Sequence, residues 1–275
     1  MEDRCKYCQS TKFSDYLFLN GFKYKRCTKC TLVQLVPMPA LDDLAKIYDR
    51  NYYAENYNVN VKEQATAIKQ SSQIQYEILK RNYKIQPTTK FLDFGCGIGG
   101  FLDAVNENNN KFIYGVELNK ISSEIIKKKG FGFIDDLGQS SETFDIITLW
   151  DVAEHLNDPI ATFKLLKSKL NKDGILVLGT ARIDDFVDKT AFGYTMWADP
   201  PGHTLLYNKK VLLKILKSSG FENNWIDNEH SIGNIYNSKY KMFKRLIKKI
   251  IFIFRTDRKN KRGDFGSYLV IIAKK

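Results

Sequence analysis

The stretch KFLDFGCGIGGFLDAV, Lys90 to Val105, decides the reading of this chain. An apolar run of strand type, KFLDFG, meets a helical one, GFLDAV, through four glycines. Glycines at such a junction let a backbone approach a ligand where a side chain would block it. They fit two fingerprints at once. Gly95, Gly97 and Gly100 spell G-x-G-x-x-G, a dinucleotide pattern. Asp93 with Gly95, Gly97 and Gly99 spells D-x-G-x-G-x-G. Cys96 sits between two of the glycines, where thiol size explains it better than thiol chemistry.

Outward from the loop, strands and helices alternate. KFIYGVELN reads as a strand and KISSEIIKKKG as a helix. FGFI is a short strand and FDIITLWDV a longer, buried one. DPIATFKLLKSKLNKDG reads as a helix ended by its glycine, followed by the strand GILVLGTA. After an irregular stretch come the helix NKKVLLKILKSSGF and the strand SYLVIIAKK. This alternation predicts an α/β fold, a doubly wound, Rossmann-like seven-stranded sheet with helices on both faces.

Two features arbitrate between the fingerprints. A dinucleotide sets its pyrophosphate on the helix N-terminus, where the negative charge of Asp93 is unwelcome. A ligand carrying a sulfonium and an ammonium suits that carboxylate. The second feature is LWDVAEHLNDP, residues 149–159, at the end of the fourth strand; a dinucleotide enzyme has no use for D-x-x-E-H there. Both point to S-adenosylmethionine (SAM), with an NAD-dependent oxidoreductase as the alternative. Glu117, at the end of GVELN, is placed to take a ribose hydroxyl. Asp135 and Asp136 are candidates for the adenine amino group. Asp151 and Glu154 are placed for the SAM ammonium or the acceptor.

The N-terminal forty residues carry different chemistry. Cys5 and Cys8 in CKYC, and Cys27 and Cys30 in CTKC, are two knuckles suited to tetrahedral zinc. Asn20-Gly21 between them is a type I′ hairpin signal. The expectation is a structural zinc ribbon over residues 1–38. Four thiolates leave no open coordination position for catalysis. A helical linker or cap follows over 39–87, with a tyrosine-rich stretch, 47–57, that includes Tyr53. The main domain takes 88–275.

FLDFGCGIGG, GVELN and DVAEHL together resemble the motifs of class I SAM-dependent methyltransferases. The whole arrangement resembles a narrower bacterial group with an N-terminal zinc ribbon, acting on sugars or surface-polysaccharide intermediates. NYYAENY and PPGHTLLY match that group's tyrosine-containing link and GH motif. The resemblance implies a SAM cofactor, a cofactor contact from Tyr53 and a small-molecule or glycan acceptor. C-methyltransferases of the group carry a further C-terminal domain that is missing here, so O-methyl transfer is expected. His203, in the GH motif, is the expected general base or substrate anchor. His155 is expected to begin the helix after the fourth strand and to act beside it. The third histidine, His230, lies in a polar stretch. ADPPG resembles the D/N-P-P-Y signature of nucleic-acid amino-methyltransferases, but stands after the fifth strand rather than the fourth.

The formal net charge is +12. Residues 239–262 hold eleven Lys/Arg and one acid, Asp257, and so contribute +10 of it. Laid on a helix, residues 238–255 put Met242, Leu246, Ile250 and Phe254 on one face and Lys241, Lys244, Lys248 and Lys249 on the other. Such a helix can lie on an anionic membrane or cover the sheet or a partner. Charge confined to one segment argues against a nucleic-acid groove, and an RNA methyltransferase is the second alternative. No signal peptide or apolar run long enough to span a membrane is visible, so a cytoplasmic protein is expected.

Overall fold

The structure is a computed structural model. It describes residues 3–40, 61–183, 198–222, 224–226 and 268–275. Tyr53 and its tyrosine-rich stretch, His230 and the basic segment 238–255 lie outside the described residues.

The chain begins with an antiparallel hairpin, β1 (Phe13–Leu19) and β2 (Phe22–Cys27), and a short third strand, β3 (Val33–Leu35). Asn20 and Gly21 both have positive φ, 50° and 83°, as a type I′ turn requires. A long helix, α1 (Val61–Asn82), leads into the main sheet.

That sheet has seven strands. Five run parallel: β4 (Phe91–Phe94), β5 (Ile113–Val116), β6 (Gly132–Phe133), β7 (Phe144–Trp150) and β8 (Leu170–Ala181). A two-residue strand, β9 (Leu205–Leu206), leaves the main sheet. Then β10 (Asn224–Ile226) and β11 (Tyr268–Lys274) close one edge antiparallel. The order is β10-β11-β8-β7-β4-β5-β6. The chain therefore winds outward in one direction from β4 to β6 and in the other from β7, and the switch point between β4 and β7 is where such sheets bind ligands.

The helices follow from the strands' two-faced burial. Phe91, Ile146, Val177 and Ile272 pack on one face with α1, α2 (Gly100–Glu107) and α3 (Lys120–Lys128) through Leu79, Leu102 and Ile126. Their neighbours Leu92, Ile147, Leu176 and Ile271 pack on the other with α4 (Pro159–Ser168) and α5 (Lys209–Ser218) through Phe163, Leu166 and Leu212. Period-two alternation between two apolar faces is what a sheet covered on both sides needs. Asn119, Asp158 and Asn208 cap α3, α4 and α5 by accepting from Ser122, Ala161 and Val211 backbone N–H groups, each cap contributing about 1 kcal/mol.

Two expectations need correction. The helix expected over 158–174 ends at Ser168, and Leu170 already belongs to β8. Phe144 N–H donates to the Lys169 carbonyl (2.8 Å) and Asn171 Nδ2 to Asp145 Oδ1 (2.6 Å), so pairing with β7 claims these residues before the glycine is reached. His155 does not begin a helix either. It ends a single 3₁₀ turn, Ala153–His155, and α4 starts later at Pro159 behind its Asp158 cap.

The N-terminal hairpin is not a detached appendage. β3 pairs antiparallel with β9, Val33 opposite Leu206 and Gln34 opposite Leu205, giving a second sheet of order β1-β2-β3-β9. Cys5, Cys27, Cys30 and Leu32 share one apolar core with Leu205, Tyr207, Leu212 and Leu216.

Candidate functional site

The site is built where β4, β5 and β7 end. Gly95, Gly97 and Gly99 have φ of 77°, 52° and 81°, a region costly for residues with a Cβ. A Cβ on Gly95 would come within 2.5 Å of Val152 Cγ2. Gly100 is different: it opens α2 with ordinary backbone, and its missing Cβ lets Ile68 of α1 approach. The left-handed positions are therefore those of the D-x-G-x-G-x-G set, while Gly100 serves helix packing. Cys96 is buried with its sulfur against Gly115, where an added Cβ would meet it at 2.6 Å. Burial, with Asp93 and Glu117 nearby, pushes its thiol well up, which removes the thiolate that reactivity needs.

Two of the expected acids, Asp93 and Glu117, lie at this cradle; Asp135 and Asp136 make their contacts elsewhere. Asp93 is 3% exposed and accepts a hydrogen bond from Thr148 Oγ1 at 2.6 Å. Burial pushes its carboxyl up to about 7; Thr148 opposes this and Glu117 adds to it. Glu117 holds the loop from β5: Oε2 accepts from Gly97 N–H and Oε1 from Asn119 N–H, both at 2.8 Å. Asp136 closes its own turn by accepting from Gly138 N–H at 2.8 Å, and Asp135 is exposed, 3.8 Å from Lys127 Nζ. Trp150, at the end of β7, is buried against Phe101 with ring centroids 5.8 Å apart, and its indole N–H has no partner among the described residues. A left-handed glycine cradle, a buried carboxylate and an orphan buried donor are what a nucleoside ligand with a cationic tail would complete.

After β7 the chain turns sharply. Asp151 has a φ of 56°, and its N–H donates to the Gly179 carbonyl at 2.9 Å. Burial and the adjacent Glu154 push Asp151 up to about 8, against a hydrogen bond from Tyr268. Val152 then covers Gly95, and the 3₁₀ turn presents Glu154 and His155. Glu154 is 2% exposed and accepts from Thr180 Oγ1 at 2.7 Å. Tyr207 O–H holds the turn by donating to the Ala153 carbonyl at 2.9 Å.

The structure brings the two expected catalytic histidines together. The His155 and His203 rings meet edge to face, 4.7 Å between centroids. One carboxylate oxygen of Glu154 and one ring nitrogen each of His155 and His203 lie within 4.8 Å of one another. His155 Nδ1 lies 2.9 Å from the Gly202 carbonyl. A carbonyl only accepts, so Nδ1 carries the hydrogen and Nε2 is the accepting nitrogen of the ring. Burial lowers the His155 pKa, which Glu154 counters and His203 reinforces, so the imidazole is neutral at neutral pH.

The four N-terminal cysteines also converge. Cys5 and Cys30 sulfurs are 3.4 Å apart and Cys8 and Cys27 sulfurs 3.5 Å, with all four inside 4.8 Å. These separations exclude disulfides and come close to the edge of a tetrahedron with bonds of about 2.3 Å to a central ion. The donor set fits zinc.

Sequence reasoning missed Thr148, Thr180, Tyr207 and Tyr24. Each is a hydroxyl whose partner lies far along the chain, so no local spacing marks it. A groove lined by Tyr76, Lys80, Tyr83 and Asn108 sits at the opposite edge, where the chain enters β4 and β5, and contains none of the site residues.

The chain belongs to the family described as a methyltransferase domain, whose model matches residues 52–224. It is 30% identical over 123 residues to a tRNA U34 carboxymethyltransferase of Campylobacter lari, covering 41% of this chain and 42% of that protein. It is 28% identical over 106 residues to a ubiquinone biosynthesis O-methyltransferase of Haemophilus ducreyi, covering 33% and 44%. The match thus spans less than half the length of either relative. Among solved structures, magnesium protoporphyrin IX methyltransferase from Synechocystis with bound S-adenosylhomocysteine (SAH) shares the fold at TM-score 0.54 and 15% identity, covering 86% of this chain and 99% of that one. A SAM-dependent methyltransferase from Archaeoglobus fulgidus does so at TM-score 0.51 and 20% identity, covering 74% and 94%. The chain thus carries a methyltransferase domain on a Rossmann-like fold.

Proposed function

We propose that the protein methylates a hydroxyl oxygen of a sugar or glycan intermediate, with zinc held structurally by Cys5, Cys8, Cys27 and Cys30. The observation that carries the O-methyl reading is the His155–His203 pair, backed by a buried Glu154, on the turn that covers Gly95. SAM supplies an already activated methyl group, so the protein's tasks are to hold the acceptor in line and to take its proton. His155, neutral and with Nε2 as its accepting nitrogen, and His203 beside it receive that proton. Glu154 stabilises the imidazolium that results. Asp93 faces the cationic part of the cofactor and the Gly95–Gly99 backbone its nucleoside. Glu117, already poised on Gly97 N–H, takes a ribose hydroxyl; Asp136, Asp135, Asp151 and Tyr53 complete the proposed contacts. The sugar class rests on the motif resemblance, and a relative that is an O-methyltransferase suits the chemistry. Contact of residues 238–255 with an anionic membrane face would suit a lipid-carried glycan.

A second reading, methyl transfer to RNA, is favoured by the similarity to tRNA U34 carboxymethyltransferases. One experiment sorts the two. The protein is incubated with methyl-labelled SAM and, separately, nucleotide sugars, glycan fragments and tRNA. Label in a sugar product as an alkali-stable ether supports the proposal. Label only in tRNA overturns it.

A further inference from the structure

We propose that Tyr24 of the N-terminal ribbon is a positioning residue for His203, so that the metal-binding sheet forms one wall of the acceptor site. This rests on His203 acting in the reaction as read above. Tyr24 lies on β2 and is 1% exposed; its O–H donates to the His203 carbonyl at 2.6 Å. Burial raises its phenol well above the usual range, so it stays a donor at any working pH. The His203 N–H is held from the other side by the Asp199 carbonyl at 2.8 Å. One residue on, the Thr204 carbonyl accepts from Leu35 N–H of β3 at 3.0 Å, and its Oγ1 donates to the Glu154 carbonyl at 3.2 Å. Leu205 and Leu206 then pair with Gln34 and Val33. The segment that carries His203 is thus clamped between the ribbon and the Glu154–His155 turn.

The clamp continues to the cysteines. Gln34, 1% exposed, accepts from Lys6 N–H at 2.9 Å and donates from Nε2 to the Arg4 carbonyl at 3.1 Å, on either side of Cys5. Cys27 N–H donates to the Leu32 carbonyl at 2.8 Å, just before β3. Asn208 Nδ2 donates to Thr31 Oγ1 at 2.9 Å. A four-thiolate ion would hold both knuckles in register, and β2 and β3 would carry that register to His203. The glycine cradle is braced by other parts of the chain, namely Val116, Glu117 and Val152. The ribbon therefore governs acceptor chemistry and leaves cofactor binding alone. An N-terminal metal module joined to a methyltransferase core would otherwise need only a tether; the shared sheet and the Tyr24 bond give it a catalytic reason to be there.

Tyr24→Phe removes the hydroxyl and little else. The chain carries only three histidines, so in a His230→Gln background the ring resonances of His155 and His203 can be followed one by one by NMR. The expected result is that Tyr24→Phe keeps zinc content and SAH affinity within about twofold of the parent, moves the His203 ring signals and, through ring stacking, those of His155, and lowers kcat about 10- to 100-fold. Stripping zinc from the parent with a chelator should move the same two signals, and reloading should restore them. Ring signals that coincide with the parent's in both Tyr24→Phe and the stripped protein would overturn the proposal. Loss of SAH affinity in Tyr24→Phe, in step with zinc, would also overturn it, because the ribbon would then act on the whole fold. The wider reading fails separately: His203→Asn with unchanged kcat removes His203 from the reaction while leaving the Tyr24 coupling in the spectra.

Discussion

Replacing Asp93 by Asn should make the ligand-free protein more stable and its cofactor binding weaker. Asp93 is buried, hydrogen-bonded to Thr148 and pushed up to about 7, whereas an exposed aspartate titrates near 3.9. Between those values the folded protein holds a proton that the unfolded chain has released. Stability of the ligand-free protein therefore falls as pH rises from about 4 to about 7. The ionised carboxylate costs on the order of a few kcal/mol, since each tenfold change in a protonation equilibrium is about 1.4 kcal/mol. Asn keeps a hydrogen-bonding carbonyl for Thr148 and has no charge to bury. Its melting temperature should exceed the parent's at pH 8, by a margin that narrows as the pH falls toward about 4. A cationic ligand group reverses the balance by favouring the carboxylate. With the carboxyl at about 7, the ionised fraction falls from about 0.9 at pH 8 to about 0.1 at pH 6, so parent affinity should drop about tenfold, or about 1.4 kcal/mol. Calorimetric titration with SAH at both pH values, in buffers of different ionisation enthalpy, should show close to one proton released at pH 6 by the parent and fewer by Asp93→Asn. The variant is the control for Asp151, which titrates near the same pH. Identical pH profiles in parent and variant would refute the role given to Asp93.

Three further outcomes follow from the same geometry. Gly95→Ala places a Cβ 2.5 Å from Val152 at a φ of 77°; the left-handed strain alone costs about 1–2 kcal/mol, so SAH binding should be lost and the melting temperature lowered by at least ~2 °C. Glu117→Ala removes the acceptor for both Gly97 and Asn119 N–H groups, and SAH affinity should fall at least tenfold, with bonds to a charged acceptor contributing about 1.5–3 kcal/mol each. Metal analysis of the parent should find one zinc per chain, and Cys30→Ser should lower that occupancy together with the melting temperature.

The doubly wound sheet was legible because its strands are apolar on both sides and its helices are capped and periodic. FLDF, FDIITLW and ILVLGTA could hardly be anything but buried strands between glycine and polar breaks. The expected ligand class came from Asp93, two residues before Gly95, and from D-x-x-E-H at the end of the fourth strand; the positive φ of Gly95, Gly97 and Gly99 suits that choice of cradle. What was hidden is non-local. β9 is two residues long, and its pairing with β3 spans more than 170 positions, so no periodicity announces that the cysteine hairpin and the GH segment form one sheet. The Tyr24–His203 bond is hidden for the same reason. The end of α4 was misplaced because Gly174 reads as its stop, whereas pairing with β7 already claims Leu170 for β8.

The measurement that bears most directly on the glycine cradle is binding of SAH against NAD by calorimetry at pH 8. One SAH bound per chain, with no detectable NAD heat, is the expected result. NAD binding without SAH binding would mean that Gly100 belongs to the cradle after all and that the carboxylate of Asp93 faces a different ligand.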